Sequence, residues 1–146
     1  MIDPIAETRS LVVERLMPHS PEKIWRALTQ PWLIEEWLMQ NDFSPEVGHR
    51  FTVRAKPLPG WSGVAHCEVV AVEPPRRLAY RWGDGTESDT HVRTLVTWTL
   101  TPEAEGVLVR MEQSGFRPQD VLAHARMGAG WPRVLQRLDQ TAGALQ

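Results

Sequence analysis

The residues able to do chemistry fall into a few small groups. His66 and Glu68 stand two apart in the run GVAHCEVVAVE. On an extended strand, residues two apart share a face, so this imidazole and carboxylate are neighbours and a candidate acid–base pair. If Val70 and Val72 face the interior, period two turns His66 and Glu68 inward as well. Three readings stay open: a catalytic pair, a lining pair without catalysis, or a structural or exposed pair on a twisted or bulged strand. Thr94 and Gln113 are polar at positions where alternation directs side chains inward, and a buried hydroxyl or amide needs a partner. Both are candidates to meet cavity water or a ligand. Asp84, Glu87, Asp89 and His91 crowd one loop. They lack the ordered oxygen ligands of a calcium loop and the convergent set that zinc requires, so a solvated turn is expected and no metal. Cys67 is the only cysteine, which excludes an intramolecular disulfide and Cys-rich metal sites. Its position next to His66 turns it outward in this register, as an inert thiol. There is no G-x-S-x-G elbow, no H-E-x-x-H and no Gly-rich phosphate loop.

Tryptophan is the other unusual feature: seven, against three Phe and one Tyr. Trp25 and Trp98 fall on expected core faces and read as packing. Trp37, Trp82 and Trp131 are candidates for stacking on a flat or aliphatic ligand, because an indole offers a large apolar face and one donor. Trp61 follows Pro57, Pro59 and Gly60 and reads as a loop anchor or a rim residue. His124 lies on the apolar stripe of the C-terminal segment and reads as a satisfied helix histidine.

The elements that position these groups follow from periodicity. Residues 8–17 are β-branched and apolar and bounded by prolines, a strand. Ser20-Pro21-Glu22 is a helix start, with Ser as N-cap and Pro at the first helical position. Ile24, Trp25 and Leu28 supply the buried stripe of that short helix. A second short helix starts at Pro31, with Trp32, Leu33, Trp37 and Leu38 at helical spacing. Pro31 disfavours helical geometry at Gln30, so the two are not coaxial. The period then becomes two over 49–55, 63–73, 77–82, 92–101 and 106–116, with short breaks that imply antiparallel hairpins. Val53, Tyr80, Trp82, Trp98 and Met111 fall on the inward faces. Residues 118–146 read as a long amphipathic helix, with a kink or restart expected at Pro132.

The resulting order gives an α+β chain: a curved six-stranded antiparallel sheet wrapped around a long C-terminal helix, with two short helices after the first strand. A single domain over residues 1–146 is expected. Apolar residues make up 42% and charged residues 23%, a globular composition. A net charge of −2 lacks the basic footprint of a nucleic-acid binder. No apolar run is long enough for a membrane span and the N-terminus has no signal-peptide core, so a cytoplasmic location is expected.

Four segments carry a family resemblance: SPEKIWRALTQPWLIEEWL (20–38), GVAHCEVVAVEPPRRLAYRW (63–82), VTWTLTPEAEGVLVRMEQSGF (96–116) and GWPRVLQRLDQ (130–140). Together they resemble the SRPBCC, or START-like, helix-grip superfamily (Bet v 1-like). Within it they are similar to the family named after the C-terminal domain of the activator of the heat-shock-protein-90 ATPase. The resemblance implies a cavity between sheet and C-terminal helix but no particular reaction. The leading expectation is a binding protein, rather than an enzyme, for a small hydrophobic or aromatic molecule. Its expected wall comprises Val53, His66, Glu68, Tyr80, Trp82, Thr94, Trp98, Met111, Gln113 and Trp131, with Trp37 near the entrance. No cofactor is expected. A cyclase, dehydratase or hydrolase using the same cavity is the alternative; a chaperone-cofactor module is another, which the sequence itself does not support. A homodimer is compatible with all three, because open sheet edges can pair.

Overall fold

The computed structural model describes residues 8–59, 61–83 and 93–145. Strand β1 (Arg9–Met17) leads into helices α1 (Pro21–Thr29) and α2 (Pro31–Trp37). Strands β2 (Gln40–Asn41), β3 (Arg50–Arg54), β4 (Val64–Glu73), β5 (Arg77–Gly83), β6 (Arg93–Glu103) and β7 (Gly106–Phe116) follow. A 3₁₀ turn at Pro118–Asp120 then opens α3 (Val121–Gly143). All pairings are antiparallel, in the order β1-β7-β6-β5-β4-β3-β2. Among the described residues the sheet therefore has seven strands and not six. The additional one, β2, has two residues, too short for any alternation to register in sequence.

Local chemistry explains the helices. The Ser20 hydroxyl accepts from the Lys23 N–H at 3.2 Å, and Pro21 occupies the first turn, where its missing N–H costs nothing. Gln30, ahead of Pro31, is extended at φ −101° and ψ 123° and separates α1 from α2, as the pre-proline restriction requires. α3 runs through Pro132 as one element. Its buried residues Trp131, Leu135, Leu138 and Ala142 recur at helical spacing. They join Met17, Ile24, Leu28, Val96, Trp98 and Val109 in one core. Val121, at the start of α3, is 59% exposed. The far end of α3 is tied to the start of the chain: Arg15 Nε donates to Asp139 Oδ2 at 2.8 Å, and His19 Nε2 lies 2.6 Å from Asp139 Oδ1.

Alternation holds in β6 and β7, where Thr94, Val96, Trp98 and Leu100 and then Val107, Val109, Met111 and Gln113 are buried. It breaks in β4. Val69 pairs with Tyr80, but Ala71 pairs with Ala79, so Val70 is an extra residue. Such a bulge reverses which residues face in. Val72 therefore packs on the core, while before the bulge the inward residues are Ala65, Cys67 and Val69.

Candidate functional site

The bulge corrects the expected acid–base pair. His66 and Glu68 lie on the face of the sheet turned away from α3, with His66 exposed and Glu68 half-buried. They sit opposite Thr52 and Arg50 on β3, and Arg50 Nε lies 3.9 Å from Glu68 Oε1. Both line an open groove of about 680 Å³ on that outer face, together with Arg50, Arg81, Arg93 and Ser114. Neither lines the space between sheet and helix. Cys67 is corrected in the opposite sense: it is inward and 5% exposed. Burial pushes its thiol far above the usual range, with Asp42 adding to the effect, so it is inert because it is sealed in.

The region between sheet and α3 is largely filled by aromatic rings. Trp37 meets Trp98 edge-on at 5.5 Å, Trp98 meets Trp131 at 5.8 Å, and Trp131 meets Trp82 at 6.4 Å. Phe43, Phe51 and Tyr80 form a second edge-to-face group. Edge-to-face contacts suit the ring quadrupoles and add to the energy of burial. The polar side-chain atoms of Trp37, Trp98, Trp131, Gln113 and Thr94 find partners internally. Trp37 Nε1 donates to the Ala27 carbonyl at 2.8 Å, and Trp98 Nε1 to the Tyr80 hydroxyl at 2.9 Å. Burial raises the Tyr80 phenol well above its usual range, outweighing the Trp98 hydrogen bond. Trp131 Nε1 donates to Gln113 Oε1 at 2.7 Å, and Gln113 Nε2 to Thr94 Oγ1 at 2.8 Å. The Thr94 hydroxyl in turn donates to the Trp82 carbonyl at 3.2 Å.

Trp37, Val53, Tyr80, Trp98, Met111 and Gln113 are thus buried within the core, with Trp37 deep inside rather than near an entrance. Thr94 is buried too, and contributes to the outer groove.

On the helix side lies a pocket of about 180 Å³ at one end of the core. It is lined by Leu38 and Met39 after α2, Leu58 and Trp61 in the β3–β4 loop, Trp82 on β5, and Arg126, Met127, Gly130, Trp131 and Val134 on α3. Of the expected wall residues, Trp82 and Trp131 are here. Leu38, Met39, Leu58, Arg126, Met127, Gly130 and Val134 escaped the sequence reading because they sit at helix ends, in a loop and on the flank of α3, where no strand alternation marks a face. The loop is clamped by the Leu58–Trp61 bridge and by the Ala55 N–H donating to the Gly63 carbonyl at 2.8 Å. Gly63 has φ +91°, and a Cβ there would fall 2.5 Å from the Ala55 carbonyl oxygen, so glycine is required to bring Trp61 back to the pocket.

Among the described residues no cluster of three or more His, Cys, Asp or Glu could hold a metal. The loop bearing Asp84, Glu87, Asp89 and His91 lies outside the described residues. No helix among them is long and apolar enough to cross a membrane. His124 Nε2 is buried without a hydrogen-bond partner. Its ring meets Phe116 edge-on at 5.0 Å, in a small second cluster rather than at the pocket.

An open antiparallel sheet gripping a C-terminal helix, with a residual pocket between them, defines a helix-grip protein. The family model of activator of Hsp90 ATPase homolog 1-like proteins matches residues 18–143, and the chain belongs to that family. A solved structure from Mesorhizobium loti is 50% identical, covers 94% of this chain and 99% of its own, and superposes with a TM-score of 0.86. One from Bacillus halodurans is 26% identical over 92% of this chain and 96% of its own, with a TM-score of 0.74. A protein of the dynemicin biosynthetic locus is 25% identical over 92% of this chain and 47% of its own, with a TM-score of 0.74. No curated protein matches the sequence.

Proposed function

We propose that this chain binds a small hydrophobic or aromatic molecule in the pocket bounded by α2, the β3–β4 loop, β5 and α3. The observation that carries the reading is the wall itself. Among the described lining residues, Arg126 is the one charged side chain and the rest are apolar or glycine. Burial of apolar ligand surface, about 25 cal/mol per Å², supplies most of the affinity. The same wall favours binding over acid–base catalysis, because His66 and Glu68 belong to the opposite face of the sheet. A relative of 25% identity is a protein of the dynemicin biosynthetic locus, which supports the reading.

Gly130 offers a clean test. It lines the pocket, and a Cβ built on it meets nothing within 4 Å. Gly130→Leu fills the space without a backbone clash, and leaving glycine inside a helix gains about 0.8 kcal/mol of helix propensity. Native mass spectrometry of gently purified protein is expected to show a retained small molecule in the wild type that is lost from Gly130→Leu, with thermal stability unchanged or raised. Equal retention by both proteins refutes the site.

A further inference from the structure

The pocket has a chemical polarity that narrows its ligand. Its volume of about 180 Å³ is close to the roughly 150 Å³ of an apolar cavity that accommodates one benzene ring. A single six-membered ring fits within that volume. The wall also selects for an aromatic over an aliphatic body. The indoles of Trp61, Trp82 and Trp131 line it, and an aromatic ring pairs with indoles through its quadrupole. Met39 and Met127 place thioethers beside the same space, and sulfur contacts with ring edges are favourable.

Against this apolar surface stand two unused donors. Arg126 is half-buried at the pocket and makes no ion pair or hydrogen bond with the described residues. The stem of an arginine covers apolar surface while the guanidinium, a fixed cation, reaches the edge. Among the described residues the indole N–H of Trp82 has no hydrogen-bond partner either. It is not sealed off, since His124 Nε2 is the sealed unpartnered side-chain atom among the described residues. Trp131, by contrast, has its N–H engaged by Gln113. No acidic residue lies on the described wall.

We infer that the pocket takes a monocyclic aromatic carboxylate: its ring lies among Trp61, Trp82 and Trp131, and its carboxylate is held by Arg126 with the Trp82 N–H as second donor. Arg is suited to this because its fork matches the two oxygens of a carboxylate. This inference rests on the pocket being the ligand site, and the test separates the two claims.

Wild type and Arg126→Gln are titrated calorimetrically with phenylacetate and with its neutral isostere phenylacetamide. Indole N–H resonances are followed by NMR and assigned with Trp82→Phe. A charge-assisted hydrogen-bonded pair is expected to make the acid about 10- to 100-fold tighter than the amide. Arg126→Gln is expected to erase that difference. The Trp82 N–H resonance is expected to move on addition of the acid. Equal affinity for acid and amide, unaffected by Arg126→Gln, overturns the carboxylate inference and leaves an apolar binding site standing. If neither compound at millimolar concentration moves the indole resonances of Trp82 or Trp131, both the inference and the binding reading fall.

Discussion

The chain of hydrogen bonds from Trp131 through Gln113 to Thr94 makes a quantitative prediction. Gln113 is wholly buried, and its two amide ends serve Trp131 Nε1 and Thr94 Oγ1 at 2.7 and 2.8 Å. Gln113→Leu preserves most of the volume and removes both functions. Thr94 keeps the Trp82 carbonyl as acceptor, so the main loss is an indole N–H left bare in the core, about 1–3 kcal/mol. Trp131→Phe strands the Gln113 carbonyl oxygen instead, at a similar cost of about 1–3 kcal/mol, with about 1 kcal/mol more for the smaller ring. The double variant leaves neither group stranded opposite the other. Its destabilisation is therefore expected to fall short of the sum of the singles by about 1–2 kcal/mol. For a chain of 146 residues, about 3 °C of melting temperature accompanies each kcal/mol. Gln113→Leu should then melt roughly 6 °C lower and Trp131→Phe roughly 9 °C lower, with the double only slightly below Trp131→Phe. Urea unfolding and scanning calorimetry on the four proteins measure this directly. Additivity within about 0.5 kcal/mol would refute the claim that these groups satisfy each other, and would leave Gln113 free to serve a ligand.

Two further outcomes follow from particular positions. Gly63→Ala, which forces a Cβ against the Ala55 carbonyl at φ +91°, is expected to cost more than about 2 kcal/mol. It should also weaken ligand retention by displacing Trp61; an unchanged melting temperature and unchanged retention contradict that geometry. Asp120 is buried at the start of α3 and accepts from the Arg117 backbone N–H and guanidinium at 2.8 to 3.0 Å. Burial alone would raise its carboxyl, but those hydrogen bonds and the Arg117 charge outweigh it and hold the carboxyl below its ordinary value of 3.8. A depressed native value means that the stabilisation is complete above the unfolded value and is lost as pH falls through the native one. Asp120→Asn should thus cost about 1–2 kcal/mol at pH 7, with the gap to wild type closing below about pH 4; a gap independent of pH contradicts the ionised pairing.

Where a strand is regular, its facing was legible from alternation alone. β6 and β7 are paired without a break from Leu95 to Glu103, and their inward sets match the sequence pattern residue by residue. The start of α1 was legible because Ser20 and Pro21 act through local bonds. β4 was not, because its parity is set by partners. Phe51 and Trp82 both sit opposite Cys67, and that register is invisible until the strands are paired. Extrapolating inward from Val70 and Val72 crossed the one extra residue that reverses the answer. The pocket was only half legible for a related reason. Trp82 and Trp131 could be found from a strand and a helix stripe, whereas Leu58 and Arg126 reach the same space only because a loop folds back and α3 presents its flank.

The row of indoles has a consequence in optics. Trp37, Trp98, Trp131 and Trp82 stand in sequence, with centroids 5.5, 5.8 and 6.4 Å apart. At such separations their electronic transitions couple, and excitation hops from ring to ring before it is emitted. Light absorbed by Trp37, sealed in the core, can leave from Trp82 beside the pocket. A molecule seated against Trp82 and Trp131 therefore quenches the emission of rings it never touches. The crossed planes, at 81°, 77° and 64°, give these coupled transitions a signed signature in near-ultraviolet circular dichroism. The packing that closes the core would also make it an optical gauge of any molecule seated against Trp82 and Trp131.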